Sequence, residues 1–366
     1  MRVLPASISC VSMIATLLAA CSGDDTSSAG SGTQGGSTGT GGGSGAIPCT
    51  GAPAELSLAG TWAAIGRLHA KLEGNPGGPI NLCPTDQNGD ATILLLVTLK
   101  QDGTQLTEVE SALCSIELPS ATALVGDCDP MKMNLVSTRI SPSSPLATAL
   151  PTAPIAPATG TLAGKGDGAG VSFEVLTVSV GSSKSGADMA TWKVGDAACL
   201  PDTLGRTNQC EAMCVTDCAS MRDDDGDGYP GVTVDVCGFT EDETKSGVEC
   251  HAEDPSQAGA SVQGRGFIDI EVAPKLTGTA KSSCEVTGNV DTPILYNVVG
   301  ADVYLGPVKV AVSSAIKSLP TFSVDPQAST FRMVRIDGQY GAPNWKVDAS
   351  QVSVACKIIS DNVNQL

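Results

Sequence analysis

The chain is 366 residues long and carries 39 acidic against 21 basic side chains, a formal net charge of −18. A body so acidic repels phosphate, which excludes nucleic acid as a partner and makes divalent cations the natural counter-ions. Aromatic residues make up only 3% of the chain, too few for a base-stacking or sugar-stacking surface.

Residues 1–20 read as a signal peptide. Arg2 supplies a short positive start, the stretch from Ile8 to Leu18 is largely apolar but too short to span a bilayer, and small residues precede Cys21. Leu18-Ala19-Ala20-Cys21 resembles the lipobox of bacterial lipoproteins. The resemblance implies cleavage before Cys21 and lipidation of that cysteine, so that membrane attachment runs through lipid on Cys21. Ser22, in place of Asp, implies the outer membrane; the periplasmic face and the cell surface both stay open. Residues 21–48 are almost entirely Gly, Ser and Thr, with Asp24 and Asp25 as the only charges. That composition makes a flexible tether with a root-mean-square span of roughly 30 Å.

The body predicted from residue 49 onward is all-β, a barrel or sandwich, in three stretches: a first β unit at 49–198, a cysteine-rich insert at 199–255 and a second β unit at 256–366. In the first unit, Gly60-Thr61-Trp62 opens a strand that runs to Leu72 and carries His69. This triplet is similar to the G-x-W near the start of lipocalin barrels; the similarity implies that Trp62 closes a barrel bottom, and plain packing in the core is the other reading. Asp86-Gln87-Asn88-Gly89-Asp90 reads as a β-turn. The apolar run from Ala91 to Leu99 reads as a strand ending at the turn signal Gln101-Asp102-Gly103, with the chain resuming at Gln105. Leu176 to Val180, Phe267 to Val272, Val308 to Val312 and Val352-Ser353-Val354 alternate as half-buried strands should.

Markers recur at an offset near 170 residues. Leu106-Thr107 and Cys114 match Leu276-Thr277 and Cys284, and the two Val-Ser-Val triplets follow later. This pattern suggests a duplicated β unit.

Cys10 leaves with the signal and Cys21 is lipidated, so twelve of the 14 cysteines remain, an even set that reads as a disulfide framework in an exported protein. In the insert, a short helix from Thr207 or Asn208 through Cys218 would put Cys210, Cys214 and Cys218 on one stripe. They would pair with Cys199, Cys237 and Cys250, in preference to forming a zinc or iron–sulfur set.

The insert also holds the one motif with chemistry, Asp223-Asp224-Asp225-Gly226-Asp227-Gly228-Tyr229. It resembles the calcium loops of EF-hand and thrombospondin type 3 modules. The resemblance implies side-chain ligands from Asp223, Asp225 and Asp227, a sharp turn at Gly228 and a backbone carbonyl from Tyr229. Position 12 is Val234, so Asp235 is the expected closing ligand, with Glu241 or Asp242 further along as alternatives. Calcium is the expected cofactor.

The sequence holds no G-x-S-x-G, no H-E-x-x-H and no phosphate or dinucleotide loop, and only two histidines, His69 and His251. The leading expectation is a membrane-anchored, calcium-binding cell-envelope lipoprotein that acts as a binding or structural surface module toward a protein or small-molecule ligand. The alternatives are a lipocalin-like carrier of a small apolar ligand and a carboxylate-dependent hydrolase.

Overall fold

The structure is a computed structural model that describes residues 49–73, 80–81, 87–117, 121–125, 134–153, 155–175, 177–191, 210, 215–310 and 321–366. The signal peptide, Cys21 and the tether lie outside the described residues, as do Cys83, Cys128, Cys199 and Cys214.

In chain order the strands are β1 (Gly60–Glu73), β2 (Ile80–Asn81), β3 (Gln87–Asp102), β4 (Gln105–Glu117), β5 (Ala121–Val125), β6 (Asn134–Pro142), β7 (Ala158–Leu162), β8 (Ala169–Phe173), β9 (Val178–Val180), β10 (Val232–Phe239), β11 (Val262–Val272), β12 (Lys275–Ser282), β13 (Glu285–Asp291), β14 (Ile294–Leu305), β15 (Val308–Lys309), β16 (Thr321–Val324) and β17 (Thr330–Arg335). Eight of them, β1, β3, β4, β7, β8, β12, β13 and β17, pair antiparallel in that order, and β17 pairs back to β1. The result is a closed up-and-down barrel, the architecture that lipocalins share. Strands from 49–198 and from 256–366 share this one barrel, and β10, from 199–255, lies in the middle of a second sheet.

The order has a consequence for the two barrel ends. In an up-and-down barrel successive connections alternate between ends. The links β3–β4, β7–β8 and β12–β13 are short turns, and they define the base. The links β1–β3, β4–β7, β8–β12 and β13–β17 lie at the other end, the mouth, and they carry every remaining strand. These excursions assemble a second sheet in the order β15-β14-β11-β10-β6-β5-β2, with β9 also paired to β11, while β16 extends the far end of β1. A barrel whose mouth loops form their own sheet is capped by them. The packing agrees: Ile93, Leu95 and Leu113 of the barrel share one apolar cluster with Val178, Val180, Val232, Val234, Ile268 and Ile270 of the second sheet.

The barrel interior is filled. Trp62, Leu99, Leu106, Phe173, Val286 and Met333 are buried in a single cluster, and Phe173 meets Phe331 edge-on with centroids 6.4 Å apart. At the base, the Trp62 indole N–H donates to the Leu58 carbonyl at 2.9 Å, and the Arg335 guanidinium lies 4.8 Å over its ring. Gly60 is required here: a Cβ would come within 2.2 Å of Arg335 Nη1, and its φ of +142° is one that side chains avoid. Trp62 thus closes the base, as the G-x-W similarity implies.

Four expectations change. Val352-Ser353-Val354 is not a strand but the start of an α-helix, Val352–Asp361, which buries Ala355, Cys356 and Ile359 against the outer wall of the barrel. Val178–Val180 is a strand, so the last markers of the supposed repeat adopt different structures. The turn expected at Asp86 to Asp90 is absent at residues 87–90, which already belong to β3 and pair with β1. The polar side of β11 is not solvent-facing: Asp269 is 0% and Glu271 9% exposed. Residues around Ser179, Gly186, Ala190 and Met221 cover that side, bonding Glu271 and packing on Phe267.

The disulfide framework is present, with Cys49–Cys284, Cys114–Cys356, Cys210–Cys218 and Cys237–Cys250 among the described residues. The expected partners within the insert are therefore corrected, since Cys210 pairs with Cys218 and Cys237 with Cys250. A helical stripe would separate Cys210 and Cys218 by about 12 Å. Their Cα atoms are 5.7 Å apart, a separation that such a stripe does not give.

Candidate metal centre

The acidic loop sits at a junction between two strands. β10 pairs with β11 from Val262 to Ile268, and β9 pairs with the same side of β11 from Ile270 to Val272, so the two strands meet end to end. At the meeting point, a Cβ on Gly181 or on Gly231 would come within 2.8 or 2.5 Å of the Ile268 carbonyl oxygen. Both glycines have positive φ, 81° and 90°, so only glycine fits this close approach. Arg222 bridges the gap, its N–H donating to the Gly181 carbonyl at 3.0 Å and its carbonyl accepting from the Gly231 N–H at 2.9 Å.

The loop between Arg222 and Gly231 turns its odd-numbered acids to one side. Asp223, Asp225 and Asp227 are half-buried and bring one oxygen each within 4.8 Å of the others. Three backbone donors orient them. The Gly228 N–H donates to Asp223 Oδ2 at 3.0 Å, the Tyr229 N–H to Asp227 Oδ1 at 2.8 Å, and the Thr233 N–H to Asp225 Oδ2 at 2.7 Å. The Thr233 hydroxyl also donates to Asp227 Oδ2. The remaining oxygens, Asp223 Oδ1 and Asp225 Oδ1, are buried without a hydrogen-bond partner. Burial, reinforced by Asp227 and Asp223 alongside, pushes the Asp225 carboxyl up to about 6. Two like charges at this separation repel by on the order of 3 kcal/mol at an effective dielectric near 20. Two buried oxygens without a partner, among three carboxylates that repel one another, supply part of the six to eight hard oxygens that calcium takes.

Asp224 points the other way. Its Oδ2 accepts from the Gly181 N–H at 2.7 Å and from Arg222 Nε at 3.1 Å, and Arg222 Nη2 donates to the Ser179 carbonyl at 2.8 Å. The loop therefore grips β9 with its even-numbered side and β10, through Thr233, with its odd-numbered side. The Tyr229 ring stacks on Phe267 with centroids 4.7 Å apart, which lays the loop against the outer face of β11.

The expected closing ligand, Asp235, is not brought into the group. It follows Thr233 by two residues on the same face of β10, about 7 Å further along the strand. Its Oδ1 is buried and unpartnered, and its carboxyl is raised by burial and by Glu253, against the lowering effect of Arg265. β10 starts at Val232, so position 12 falls in a sheet ladder, and the side chain that meets the carboxylates is Thr233. Glu241 and Asp242 lie on the short helix Glu241–Ser246 beyond the far end of β10, roughly 20 Å away, and Glu241 pairs with Lys245 there. Sequence reasoning missed Thr233, Arg222 and Asp224. The alternation in Val232-Thr233-Val234 is the signal for Thr233, because it turns the hydroxyl away from the apolar side.

His69 lies on β1, its Nδ1 2.9 Å from Asp90 Oδ1. His251 donates its backbone N–H to Gln263 Oε1 at 3.1 Å, within the insert. Comparison with known proteins returns no matching family, no matching curated protein and no matching solved structure.

Proposed function

We propose that the protein is a lipid-anchored, calcium-binding module of the bacterial cell envelope, acting as a binding or structural surface rather than as an enzyme. The observation that carries the reading is the convergence of Asp223, Asp225 and Asp227 with two buried oxygens unpartnered. In this reading Asp223, Asp225, Asp227 and the Tyr229 carbonyl hold calcium, and the ion cancels the repulsion inside the loop. Cys21 carries the lipid, and residues 21–48 link it to the barrel-bearing body. The filled barrel favours a surface module over a carrier. An apolar ligand pocket occupies about 300 Å³ or more, whereas the largely apolar cavity between the barrel mouth and the cap holds about 60 Å³.

Calcium in the 10 mM range, acting on a site with a dissociation constant of ~10⁻⁴–10⁻³ M, stabilises the fold by about 1.4–2.7 kcal/mol. The melting temperature is expected to rise by about 3–5 °C. Asp225→Ala is expected to abolish the rise, and an equal rise in that variant refutes the site. Cys21→Ala is expected to move the protein from the membrane fraction to the soluble one; unchanged retention refutes the anchor.

A further inference from the structure

The cavity between the barrel mouth and the cap has walls of two kinds. Leu68, Ile93, Leu276 and Phe331 belong to the barrel, while Val178 and Val180 of β9, with Ile270 of β11, belong to the cap. The lining is almost wholly apolar, with Ser111 and Thr292 its only hydroxyl side chains, too few polar partners to hold a water well. β9 is the short wall. It is three residues long, pairs with β11 over three residues, bridges to Ile155 at Val178 and bonds Glu271 through the Ser179 hydroxyl. On its loop side, it is held by Arg222 on the Ser179 carbonyl, by Asp224 on the Gly181 N–H and by the Arg222–Gly181 backbone bond. Each of these holds comes from the acidic loop. The same loop, through Thr233, grips β10, whose Val232 and Val234 pack in the apolar cluster next to the cavity.

We propose that the acidic loop is a latch on this cavity. With calcium bound the loop keeps β9 seated and the chamber shut; when calcium leaves, repulsion among Asp223, Asp225 and Asp227 loosens the grip, β9 lifts, and a small neutral apolar molecule enters against Leu276 and Phe331. The proposal rests on the calcium reading of the loop and adds to it a ligand class and a direction of control. Calcium loss, not calcium binding, opens the site, because the ion removes the one source of strain in the loop. Short segments are among those that open first, and β9 is only three residues long.

The test uses the full chain carrying Cys21→Ser, so that no lipid competes for the probe. The probe is N-phenyl-1-naphthylamine, which is neutral and brightens in apolar surroundings, and it is too large for the closed chamber. Calcium binding is measured separately by calorimetry. Stripping calcium is expected to raise probe fluorescence several-fold and to speed hydrogen exchange at the β9 amides, and adding calcium back is expected to reverse both. Arg222→Gln, which removes the hold on Ser179, is expected to take up probe with calcium present and with calcium absent. Val180→Trp, which fills the chamber, is expected to take up none. Hydrogen exchange in the parent chain needs neither variant to fold. If calcium binds yet probe uptake and β9 exchange do not change, the latch is refuted and the calcium reading stands. If calorimetry finds no calcium binding at millimolar concentration, the calcium reading fails and the latch falls with it.

Discussion

Replacing Arg335 with alanine is expected to cost about 3–5 kcal/mol of folding stability, a large part of the whole for a domain of this kind. Arg335 is 0% exposed. Its Nε donates to the Ser283 carbonyl, Nη1 to the Ala59 carbonyl and Nη2 to the Ser57 carbonyl, each at 2.7 Å, and Nη1 also reaches Asp337 Oδ2 at 3.1 Å. Burial draws its pKa down, and Asp337 opposes that shift. The planar fork lies between the rings of Trp62 and Tyr340, 4.8 and 5.0 Å from their centroids. Alanine leaves three carbonyls without that donor, each costing about 1–3 kcal/mol before any relaxation, and takes the counter-charge from Asp337, which keeps the Thr61 and Gln339 N–H donors. Lysine is expected to recover little, because one ammonium group cannot serve three carbonyls arranged for a fork. Urea unfolding measures the loss. A loss below about 1 kcal/mol for alanine, or near-complete rescue by lysine, would show that the base is held by packing on Trp62 alone.

This arginine marks a limit of sequence reading. Gly60-Thr61-Trp62 points to a barrel and to a closed base, and both are present. Nothing local marks Arg335 as the partner of Trp62, because 273 positions separate them and β17 pairs with β1 only on closure. The β3–β4 hairpin was legible from Gln101-Asp102-Gly103, where turn chemistry is local. The C-terminal helix was not. In Val352-Ser353-Val354 three residues cannot separate a period of 2 from one of 3.6, and only the later spacing of Ala355, Cys356 and Ile359 shows the buried helical stripe. Asp269 reads as the polar side of a strand and is such a side. What covers it comes from more than thirty residues upstream, and burial pushes its carboxyl up to about 6.

The candidate metal centre divides along the same line. The alternation of Asp223, Asp225 and Asp227 is a local property, and the structure gathers those three. The closing partner depends on where β10 begins, which is set by pairing with β11 downstream and with β6, more than ninety residues upstream. Counting to position 12 therefore led to Asp235, while the ladder placed Thr233 against the carboxylates. The same pairing gives the loop its second role. An acidic loop in isolation touches only itself; this one spans the break between β9 and β10, and so bears on the cap of the barrel.

Removing the Cys114–Cys356 disulfide is expected to destabilise the fold more than removing Cys237–Cys250, and the difference tests what the long-range links do. Cys237–Cys250 spans 13 residues and Cys114–Cys356 spans 242. In the chain-entropy account the short loop is worth about 3 kcal/mol. The long one does not count at its full length, because Cys49–Cys284 already ties the unfolded chain. The 65 residues from Cys49 to Cys114 and the 72 from Cys284 to Cys356 leave a ring of about 137 residues, worth about 5 kcal/mol. Packing adds to the entropy: Cys114 and Cys356 lie in the cluster that joins the C-terminal helix to Ala63, Ile65, Leu94 and Leu96 on the barrel wall. The double variant Cys114→Ala/Cys356→Ala is thus expected to lower the urea midpoint further than Cys237→Ala/Cys250→Ala. It is also expected to raise hydrogen exchange at the Val352–Asp361 amides in the native state. The reverse order of midpoints would mean that the insert, not the helix clasp, limits stability. The loss of a 13-residue clip next to β10 would then unfasten the cap before the barrel.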